Sequence, residues 1–322
     1  MKAIGFTVPG GPEVLTELDL PTPEAGPGEL RVRVHAAAVN PADILVRRGD
    51  VDLSRLPAPY VPGMDVAGVV EQVGPGTETD LAVGDRVMAV VMPDRPHSGG
   101  YAEAAVVPAR QAVAAPANVS LAEAATIPMN GLTALRALHV LGVRDGSTVA
   151  VTGAAGVFGG FFVELAKLAG ARVVADSSER DEPLLRRLGA DLIVRRGPTW
   201  ATEVRRFLPT GVDALADAAL LGPSALDAVA DNGRYASLRT PGEPGTTPLP
   251  TPAPRAITYH PVAFYEHPDF QSALHHLRDA VEATRLTPRI HAVVAPTDAP
   301  HAHTTLQAGG TRGRIVLDFS PS

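Results

Sequence analysis

The sequence has 322 residues, 45% of them hydrophobic and 20% charged, with a formal net charge of −7 at pH 7. These values are typical of an ordinary water-soluble protein that is long enough for two domains. The acidic balance, an aromatic content of only 4% and the absence of cysteine exclude a basic nucleic-acid surface, a disulfide scaffold and a cysteine-ligated zinc site.

The N-terminus and the longest uncharged segment bear on cellular location. Met1 leads directly into strand-like sequence without the apolar core of a signal peptide, so we expect a cytoplasmic protein. Residues 146–163 are uncharged, but a Gly-rich turn divides them into a strand and a helix. We therefore expect no membrane anchor.

The first third of the chain is predicted to form mostly strands and turns. Residues 30–34 alternate apolar and charged side chains, as in a half-buried strand, and further apolar runs occupy residues 66–73, 86–92 and 101–107. From Leu121 the apolar period becomes helical, with breaks at Pro128 and before Gly142. This change of period predicts a domain boundary near residue 119.

A strand, a Gly-rich turn and a helix follow one another from Thr148. The strand 148–152 precedes Gly153, Gly156 and Gly159, and the helix that follows has one apolar face. Glycines at this spacing allow a tight turn and the close approach of a pyrophosphate to the helix N-terminus. We predict a dinucleotide site whose phosphate-binding residues are Gly153, Ala154, Ala155, Gly156, Val157, Phe158 and Gly159.

The next strand, at residues 171–175, leads into residues that would lie near the ribose of a bound dinucleotide. An acid there favours NAD, whereas hydroxyls and an arginine favour the 2′-phosphate of NADP. We favour Ser177, Ser178 and Arg180, and hence NADPH. Asp176 is interpreted as a solvated turn residue or a helix cap.

The remaining elements alternate as in a parallel, doubly wound sheet. The pattern predicts strands at 191–194, 212–216, 234–238 and 257–264, and helices at 224–230 and 270–283. The loop 240–254 either borders a ligand crevice or is a plain surface connection. We expect the last strands, at 290–294 and 314–319, to rejoin the first domain.

Several motifs occur together in one order and spacing along the chain. They are AVNPAD at 38–43, PGMDVAGVV at 62–70, VGDRV at 83–87, GGYAE at 99–103, GLTA at 131–134, LGAD at 188–191 and GRIVL at 313–317. With these motifs the sequence resembles the medium-chain dehydrogenase/reductase superfamily, in its zinc-free quinone oxidoreductase branch. The resemblance implies an α/β protein with a mostly-β GroES-like domain at 1–119, completed by 265–322, and a doubly wound Rossmann NADP-binding domain at 120–264. It also implies a homodimer.

The resemblance also assigns individual residues. It implies that Thr133 and Asn40 lie near the nicotinamide and that Arg314 binds the pyrophosphate. Asn40 is the expected amide donor to the developing oxyanion. Asp43 has a weaker predicted role in orienting Asn40 or the substrate, although a carboxylate just before a short helix is as often a cap.

The sequence departs from the family pattern at several positions. Asn40 and Met64 replace the cysteine and histidine of zinc-dependent relatives, so we expect no metal. Leu45 stands where relatives often have a tyrosine, and we expect Phe158 to pack in the core beneath the turn. Four histidines near the C-terminus are interpreted as surface residues: His275, His276, His301 and His303.

These observations favour an NADPH-dependent reductase that acts on a quinone or an α,β-unsaturated carbonyl, a small-molecule electrophilic acceptor. A short-chain reductase is disfavoured because no tyrosine has a lysine four residues later, and a serine hydrolase because there is no Gly-x-Ser-x-Gly motif. The alternatives left open are an enoyl-thioester reductase or other biosynthetic tailoring enzyme, an isomerising or ring-forming enzyme, and a non-enzymatic NADPH-binding protein of crystallin-like or redox-sensing type.

Overall fold

The structure is a computed structural model that describes residues 1–95, 97–239 and 246–320. The strands are β1 (Lys2–Gly5), β2 (Thr16–Asp19), β3 (Glu29–Ala38), β4 (Asp65–Val73), β5 (Arg86–Val90), β6 (Ala104–Pro108), β7 (Ala112–Ala114), β8 (Thr148–Thr152), β9 (Arg172–Ser177), β10 (Leu192–Arg195), β11 (Val212–Asp217), β12 (Val229–Ser237), β13 (Thr258–Pro261), β14 (Ile290–Val294) and β15 (Arg314–Asp318). The α-helices are α1 (Pro41–Arg48), α2 (Leu121–Ala124), α3 (Pro128–Val140), α4 (Val157–Leu168), α5 (Glu182–Leu188), α6 (Trp200–Phe207), α7 (Pro223–Leu226), α8 (Phe270–Glu282) and α9 (Ala299–Ala308).

The chain forms two compact units. The first comprises Met1–Met129, Asp269–Thr284 and Pro288–Ser322, and the second comprises Asn130–Pro268 and Arg285–Thr287. The domain ranges from the sequence, 1–119 with 265–322 and 120–264, stay predictions.

The first unit is built on a sheet in which the strand order is β14-β15-β3-β4-β5-β7, with β6 also paired to β3. Strand β3 is long because its apolar side chains alternate toward the core: Leu30, Val32 and Val34 are all fully buried. The late strand β15 pairs with β3 antiparallel and with β14 in parallel. Residues from the two ends of the sequence therefore share one sheet.

Helix α1 follows β3 directly and has clear end signals. Asn40 is its N-cap, Pro41 occupies the first turn, and the side chain of Asp43 completes a capping box. Gly49 ends the helix at φ +79°, a conformation that favours glycine. Two of the residues predicted to act in the site, Asn40 and Asp43, are thus held at the start of a helix.

The second unit contains a parallel sheet with the strand order β10-β9-β8-β11-β12-β13. Numbered along the chain within this unit, the order is 3-2-1-4-5-6, that of a Rossmann dinucleotide-binding fold. Trp200 of α6 is buried in its core with Val174, Leu215 and Tyr235. The predicted combination of a mostly-β unit and a doubly wound α/β unit is confirmed.

Several element predictions differ from the structure. The predicted helix 224–230 ends early, because α7 stops at Leu226 and β-branched Val229 opens β12, pairing with Val212. The strand predicted at 257–264 covers only Thr258–Pro261 in the structure. Helix α9 was not predicted, because its Ala, His and Thr residues show little apolar periodicity. Part of the predicted loop 240–254, residues 240–245, lies outside the described residues.

No helix in the described ranges combines the length and the apolar character needed to cross a bilayer.

Candidate functional site

The Gly-rich turn connects β8, at the middle of the parallel sheet, to α4. Gly153 has φ +65°, a left-handed conformation that suits glycine, and its carbonyl oxygen accepts the Gly156 N–H at 2.9 Å. Gly156 is the N-cap of α4 and has no side chain that could occupy the helix end. The first turn of α4 therefore presents backbone N–H groups and the positive end of the helix dipole, which favours an anion.

The glycines of the turn have different steric surroundings. A Cβ on Gly159 would overlap Gly153 O and lie 2.5 Å from Ala154 Cα, so Gly159 lets α4 pack against its own turn. A Cβ on Gly156 would meet only Gly153 O, at 3.1 Å, and would otherwise project into open space. The turn thus has a glycine needed for packing and a second whose missing side chain leaves room for a ligand.

The other predicted residues of the turn are mostly packed inside the unit. Ala154, Ala155, Val157 and Phe158 are all buried. The Phe158 ring packs beside Phe162, with 6.0 Å between the ring centroids, as expected of a core residue. Their side chains face the protein, and their predicted contact with a phosphate stays a prediction.

The interpretation of Asp176 as a solvated turn residue or helix cap is wrong. Asp176 is only 4% exposed, and its Oδ1 accepts the Ala154 N–H at 2.8 Å. Burial raises the pKa of this carboxyl, while the Ala154 N–H and the Arg196 guanidinium lower it. Asp176 therefore fastens the end of β9 to the Gly-rich turn.

The predicted 2′-phosphate residues follow Asp176 along the chain. Ser177 is buried and its Oγ donates to Ser178 O at 2.6 Å, whereas the Ser178 Oγ donates to Asp181 Oδ2 at 2.5 Å. The Arg180 side chain is 69% exposed, with its Nε 3.9 Å from Asp181 Oδ1. The cofactor-binding roles of Ser177, Ser178 and Arg180 stay predictions.

Arg196 was missed by the sequence reasoning. It follows β10, whose Arg195 pairs with Ser177 of β9, and its N–H donates to Ser177 O at 2.8 Å. Its Nε lies 3.7 Å from Asp176 Oδ2, and the side chain is 43% exposed. The available signal was the rule that the carboxyl ends of parallel strands meet at one edge of the sheet.

The loop after β11 is fastened next to the Gly-rich turn. Asp217 is fully buried and accepts hydrogen bonds from Thr152 Oγ1 and Tyr235 Oη, both at 2.5 Å, and from the Gly222 N–H at 2.8 Å. A Cβ on Gly153 would lie 3.3 Å from the Ala218 carbonyl carbon, so this loop flanks the turn. Strands β8 and β11 are neighbours at the point where the strand order reverses, the usual ligand crevice of this fold.

The predicted catalytic residues lie in the first unit, inside a buried polar cluster. Asn40 and Asp43 are both fully buried. The Asn40 Nδ2 donates to Asp65 Oδ2 at 2.9 Å and lies 3.4 Å from Ala38 O. The amide hydrogens of Asn40 are thus directed at protein oxygens. Its role as an oxyanion donor stays a prediction, and contact with an acceptor requires one of these bonds to be exchanged.

Asp43 and Asp65 accept hydrogen bonds from the backbone as well as from side chains. Asp43 accepts from Asn40 N at 2.8 Å and Gly63 N at 3.1 Å, and Asp65 accepts from Met129 N at 2.7 Å. Burial raises the pKa of Asp43 to about 6 and that of Asp65 to about 7, against the lowering effect of these donors. The two carboxyls therefore titrate near neutrality.

Arg314 lies in the same unit and is buried on β15. Its charge lowers the pKa values of Asp43 and Asp65, while burial lowers the pKa of the guanidinium itself. The structure thus places Arg314 among the carboxylates of the cluster, and its predicted contact with a pyrophosphate stays a prediction.

The interpretation of His303 as a surface residue is wrong. His303 of α9 is fully buried, with its Nε2 3.1 Å from Tyr101 Oη and its Nδ1 3.3 Å from an Arg47 guanidinium nitrogen. Sequence reasoning failed here because α9 lacks an apolar stripe that would mark its inner face. His301 and His276 are exposed and His275 is half-buried.

The remaining predicted positions are distributed over both units. Thr133 is half-buried on α3, Leu45 is half-buried on α1, and Met64 is buried just before β4. Tyr101 supplies a phenol in the first unit, but it is fully buried and donates to Asp43 Oδ2 at 3.1 Å. The family pattern indicates a phenol at position 45. Tyr101 belongs to the GGYAE motif of the resemblance, but the sequence analysis gave it no role.

The residues do not suit a catalytic zinc ion. Asn40 and Met64 offer an amide that already donates to Asp65 and a thioether, neither of which is a usual zinc ligand. Over residues 1–95, 97–239 and 246–320, no group of three or more His, Asp and Glu side chains could hold a metal ion. No chemical step is therefore assigned to a metal.

Comparisons with known proteins match both parts of the chain. The alcohol dehydrogenase GroES-like domain family matches residues 26–117, and the zinc-binding dehydrogenase family matches residues 188–317. The name of the second family refers to zinc, whereas the donor set of this chain does not fit that metal.

Two curated plant relatives match most of this chain. A 2-methylene-furan-3-one reductase from Solanum lycopersicum is 34% identical over 72% of this chain and 61% of its own length. A chloroplastic NADPH-dependent alkenal/one oxidoreductase from Arabidopsis thaliana is 32% identical over 74% of this chain and 62% of its own length. The chain thus spans about three fifths of these relatives.

Solved structures match over nearly the full length. An NAD-dependent alcohol dehydrogenase is 34% identical with a TM-score of 0.88, covering 99% of both chains. A mycobacterial quinone oxidoreductase is 30% identical with a TM-score of 0.82, again covering 99% of both. A mycobacterial structure complexed with NADPH is 30% identical with a TM-score of 0.84, covering 99% of this chain and 100% of the other.

A Rossmann sheet with a Gly-rich turn, in one chain with a GroES-like β unit, defines the class of alcohol-dehydrogenase-like proteins. The chain belongs to the medium-chain dehydrogenase/reductase superfamily, in its quinone oxidoreductase branch. The resemblance deduced from the sequence motifs is confirmed.

Proposed function

We propose that the protein is an NADPH-dependent reductase that transfers hydride, without a metal, to a quinone or an α,β-unsaturated carbonyl compound. The observation that carries the proposal is the Gly-rich turn of β8 and α4, where the strand order reverses. The plant relatives, a 2-methylene-furan-3-one reductase and an NADPH-dependent alkenal/one oxidoreductase, agree with it.

The choice of NADPH rests on the end of β9. An acid at this position would bind the ribose 2′-OH of NAD, but Asp176 already accepts the Ala154 N–H and faces Arg196. Ser178, Arg180 and Arg196 supply hydroxyl and guanidinium donors suited to a phosphate, which would replace or share their present contacts with the Asp181 carboxylate. One similar structure is an NAD-dependent enzyme and another is complexed with NADPH. The choice between NAD and NADP in this protein therefore rests on its own side chains at the end of β9.

Bound NADPH would supply the hydride. In the proposed complex, the Gly153–Gly159 turn and the N-terminus of α4 bind the pyrophosphate, while Ser178, Arg180 and Arg196 bind the 2′-phosphate. Thr133 and Arg314 remain proposed cofactor contacts. The Asn40–Asp43 turn orients the acceptor, and water protonates it, because Leu45 has no acidic hydrogen to give.

The proposal is tested by titrating the purified protein with NADPH and NADH and then measuring their oxidation with 1,4-benzoquinone and with a small enone. We expect NADPH to bind at least about ten times more tightly than NADH, with turnover of at least one acceptor. NADPH binding without turnover would favour the non-catalytic alternative, and tighter NADH binding would contradict the assignment of Ser178, Arg180 and Arg196.

We further infer that the acceptor is a small electrophilic molecule and that the protein acts in the cytoplasm as a homodimer. The homodimer follows from the family resemblance, and the lack of cysteine agrees with a reducing compartment. Sedimentation equilibrium at micromolar concentration should give twice the mass of one chain. A monomer at that concentration would contradict the inference.

A further inference from the structure

Four buried side chains of the first unit form a line of hydrogen bonds. A guanidinium nitrogen of Arg47 lies 3.3 Å from His303 Nδ1, His303 Nε2 lies 3.1 Å from Tyr101 Oη, and Tyr101 Oη lies 3.1 Å from Asp43 Oδ2. The participants come from α1, from α9 and from the segment that follows Gly100. The line ends on the carboxylate that caps α1 and accepts the Asn40 N–H.

The chemistry of Arg47 fixes the direction of every bond in this line. A guanidinium can only donate, so His303 Nδ1 must accept and the ring proton must lie on Nε2. Nε2–H then donates to Tyr101 Oη, which leaves the phenolic hydrogen for Asp43. Burial and the Arg47 charge lower the pKa of His303 to about 3, in agreement with a neutral ring.

Packing holds the line in this one arrangement. Tyr101 and His303 are fully buried, and their rings meet edge to face with centroids 5.8 Å apart and an interplanar angle of 83°. Gly63, at φ +104°, allows the approach, because a Cβ there would lie 2.5 Å from the Tyr101 ring. The far end is also anchored, since Arg47 donates to Gly10 O and to Gln307 Oε1.

We propose that Tyr101 and His303 are positioning residues for the Asn40–Asp43 turn, and that α9 acts on the site through them. Tyr101 donates to the same Asp43 oxygen that accepts the Asn40 N–H, while the other oxygen accepts from Gly63. The one-directional line keeps the Asp43 carboxylate accepting on both oxygens and so keeps the start of α1 in place. The effect on catalysis rests on the proposed reductase function, whereas the line itself does not.

Charged and titratable groups face the line at both of its ends. The Tyr101 hydroxyl and the Arg314 charge lower the pKa of Asp43. The Asp43 charge in turn raises the pKa of Asp65. His303 faces Arg47 and Tyr101. Because the Tyr101 hydrogen bond lowers the pKa of Asp43, removing that hydroxyl should raise it.

The first arm of the test uses NMR and needs no activity. In the wild type, ¹⁵N shifts should show His303 as the neutral Nε2–H tautomer from about pH 5 to 9. In Tyr101→Phe, a ¹³C carboxyl titration should show the Asp43 pKa raised by about one unit. A His303 ring that carries its proton on Nδ1, or that titrates near its ordinary pKa of about 6.5, would overturn the proposal, as would an unchanged Asp43 pKa.

The second arm uses the pH profile of kcat/KM with NADPH and the acceptor that the wild type reduces. Tyr101→Phe should shift the acidic limb upward by about one pH unit and lower kcat by about tenfold, with the NADPH Kd changed less than about twofold. His303→Gln, which keeps an N–H donor toward Tyr101, should retain more activity than His303→Leu. Tyr265→Phe is the matched control, because Tyr265 is 60% exposed, and it should behave as wild type.

The two arms separate this proposal from the proposed function. If the wild type reduces no acceptor, the reductase proposal fails, and the NMR arm still decides the hydrogen-bond line. If the wild type is active but Tyr101→Phe keeps its pH profile and kcat, the positioning role is overturned while the reductase proposal stands. If Tyr101→Phe does not fold, the wild-type tautomer and the comparison of His303→Gln with His303→Leu decide whether the positioning role holds.

Discussion

The Gly-rich turn of the second unit and the polar cluster of the first unit differ in how they are assembled. The turn consists of consecutive residues, Gly153 to Gly159, and its properties come from the backbone and from missing side chains. The cluster draws on Asn40, Asp65, Tyr101 and His303, which are far apart in the sequence, and its properties come from side-chain hydrogen bonds. A backbone site shows in a local motif, whereas a side-chain cluster exists only in the folded chain.

Among these substitutions, Asp65→Ala in the polar cluster should have the largest effect on the free energy of unfolding. Asp65→Ala removes the acceptor of the Met129 N–H and the Asn40 amide and leaves the buried Arg314 charge with less compensation. We expect the free energy of unfolding to fall by about 3–5 kcal/mol, measured by urea denaturation. Asp191→Ala is the control, because Asp191 is partly exposed and should cost less. A loss below about 1 kcal/mol at Asp65 would show that the cluster is not needed for stability.

Two glycines of the turn should respond differently to the same change. Gly159→Ala should lower the free energy of unfolding by about 3 kcal/mol, because its Cβ would overlap the backbone at Gly153 and Ala154. Gly156→Ala should leave stability within about 1 kcal/mol but weaken NADPH binding by about tenfold or more, since its Cβ would project toward the proposed phosphate site. Thermal unfolding and fluorescence titration separate the two. Equal stability losses would contradict this division of roles.

The buried His303 makes stability depend on pH in a defined direction. Its pKa is about 3 in the folded chain against an ordinary value of 6.5, so the unfolded chain binds the proton preferentially between these values. The contribution of the neutral ring to stability therefore rises as pH rises from about 3 to 6.5 and is constant above. Asp43 and Asp65, with raised pKa values, act in the opposite direction from about pH 4 to 7.

Comparison with His303→Gln isolates the histidine from the two carboxyls. Between about pH 4.5 and 6.5, the wild type should gain about 2–3 kcal/mol of stability relative to this variant, measured by urea denaturation at each pH. His276→Gln, at an exposed position, should show no such difference. A constant gap between wild type and His303→Gln across this range would contradict the lowered pKa.

The smallest effect concerns cofactor choice at the end of β9. Arg196→Ala should weaken NADPH binding by about tenfold, which corresponds to about 1.4 kcal/mol, and should leave NADH binding nearly unchanged. Arg195→Ala is the matched control, because neighbouring residues at a strand end point in opposite directions. Equal losses for NADPH and NADH in Arg196→Ala would remove Arg196 from the proposed 2′-phosphate site.

The sequence predicted the turn well and the cluster only in part. Gly153, Gly156 and Gly159 lie at fixed spacing between a strand and a helix, so local patterns were sufficient. Asn40 and Asp43 were predicted as site residues, and their site roles stay predictions. The burial of His303 was not predicted, because no periodicity in α9 marks it. Asp176 was misjudged because a carboxylate after a strand looks the same in sequence whether it faces solvent or a backbone N–H. Arg196 required the pairing of β10 with β9, which only the sheet order supplies.

The pairing of β15 with β3 has a consequence for the order of folding during synthesis. The central strand of the first sheet leaves the ribosome early, yet its neighbour β15 is made only after the entire 130–268 segment. The second unit is nearly continuous in sequence and can close its parallel sheet while the Ala36–Ala38 end of β3, beyond the part paired with β6, still lacks its neighbour. The first sheet is therefore completed last, and a nascent chain stalled before residue 314 exposes an unpaired strand edge to other chains.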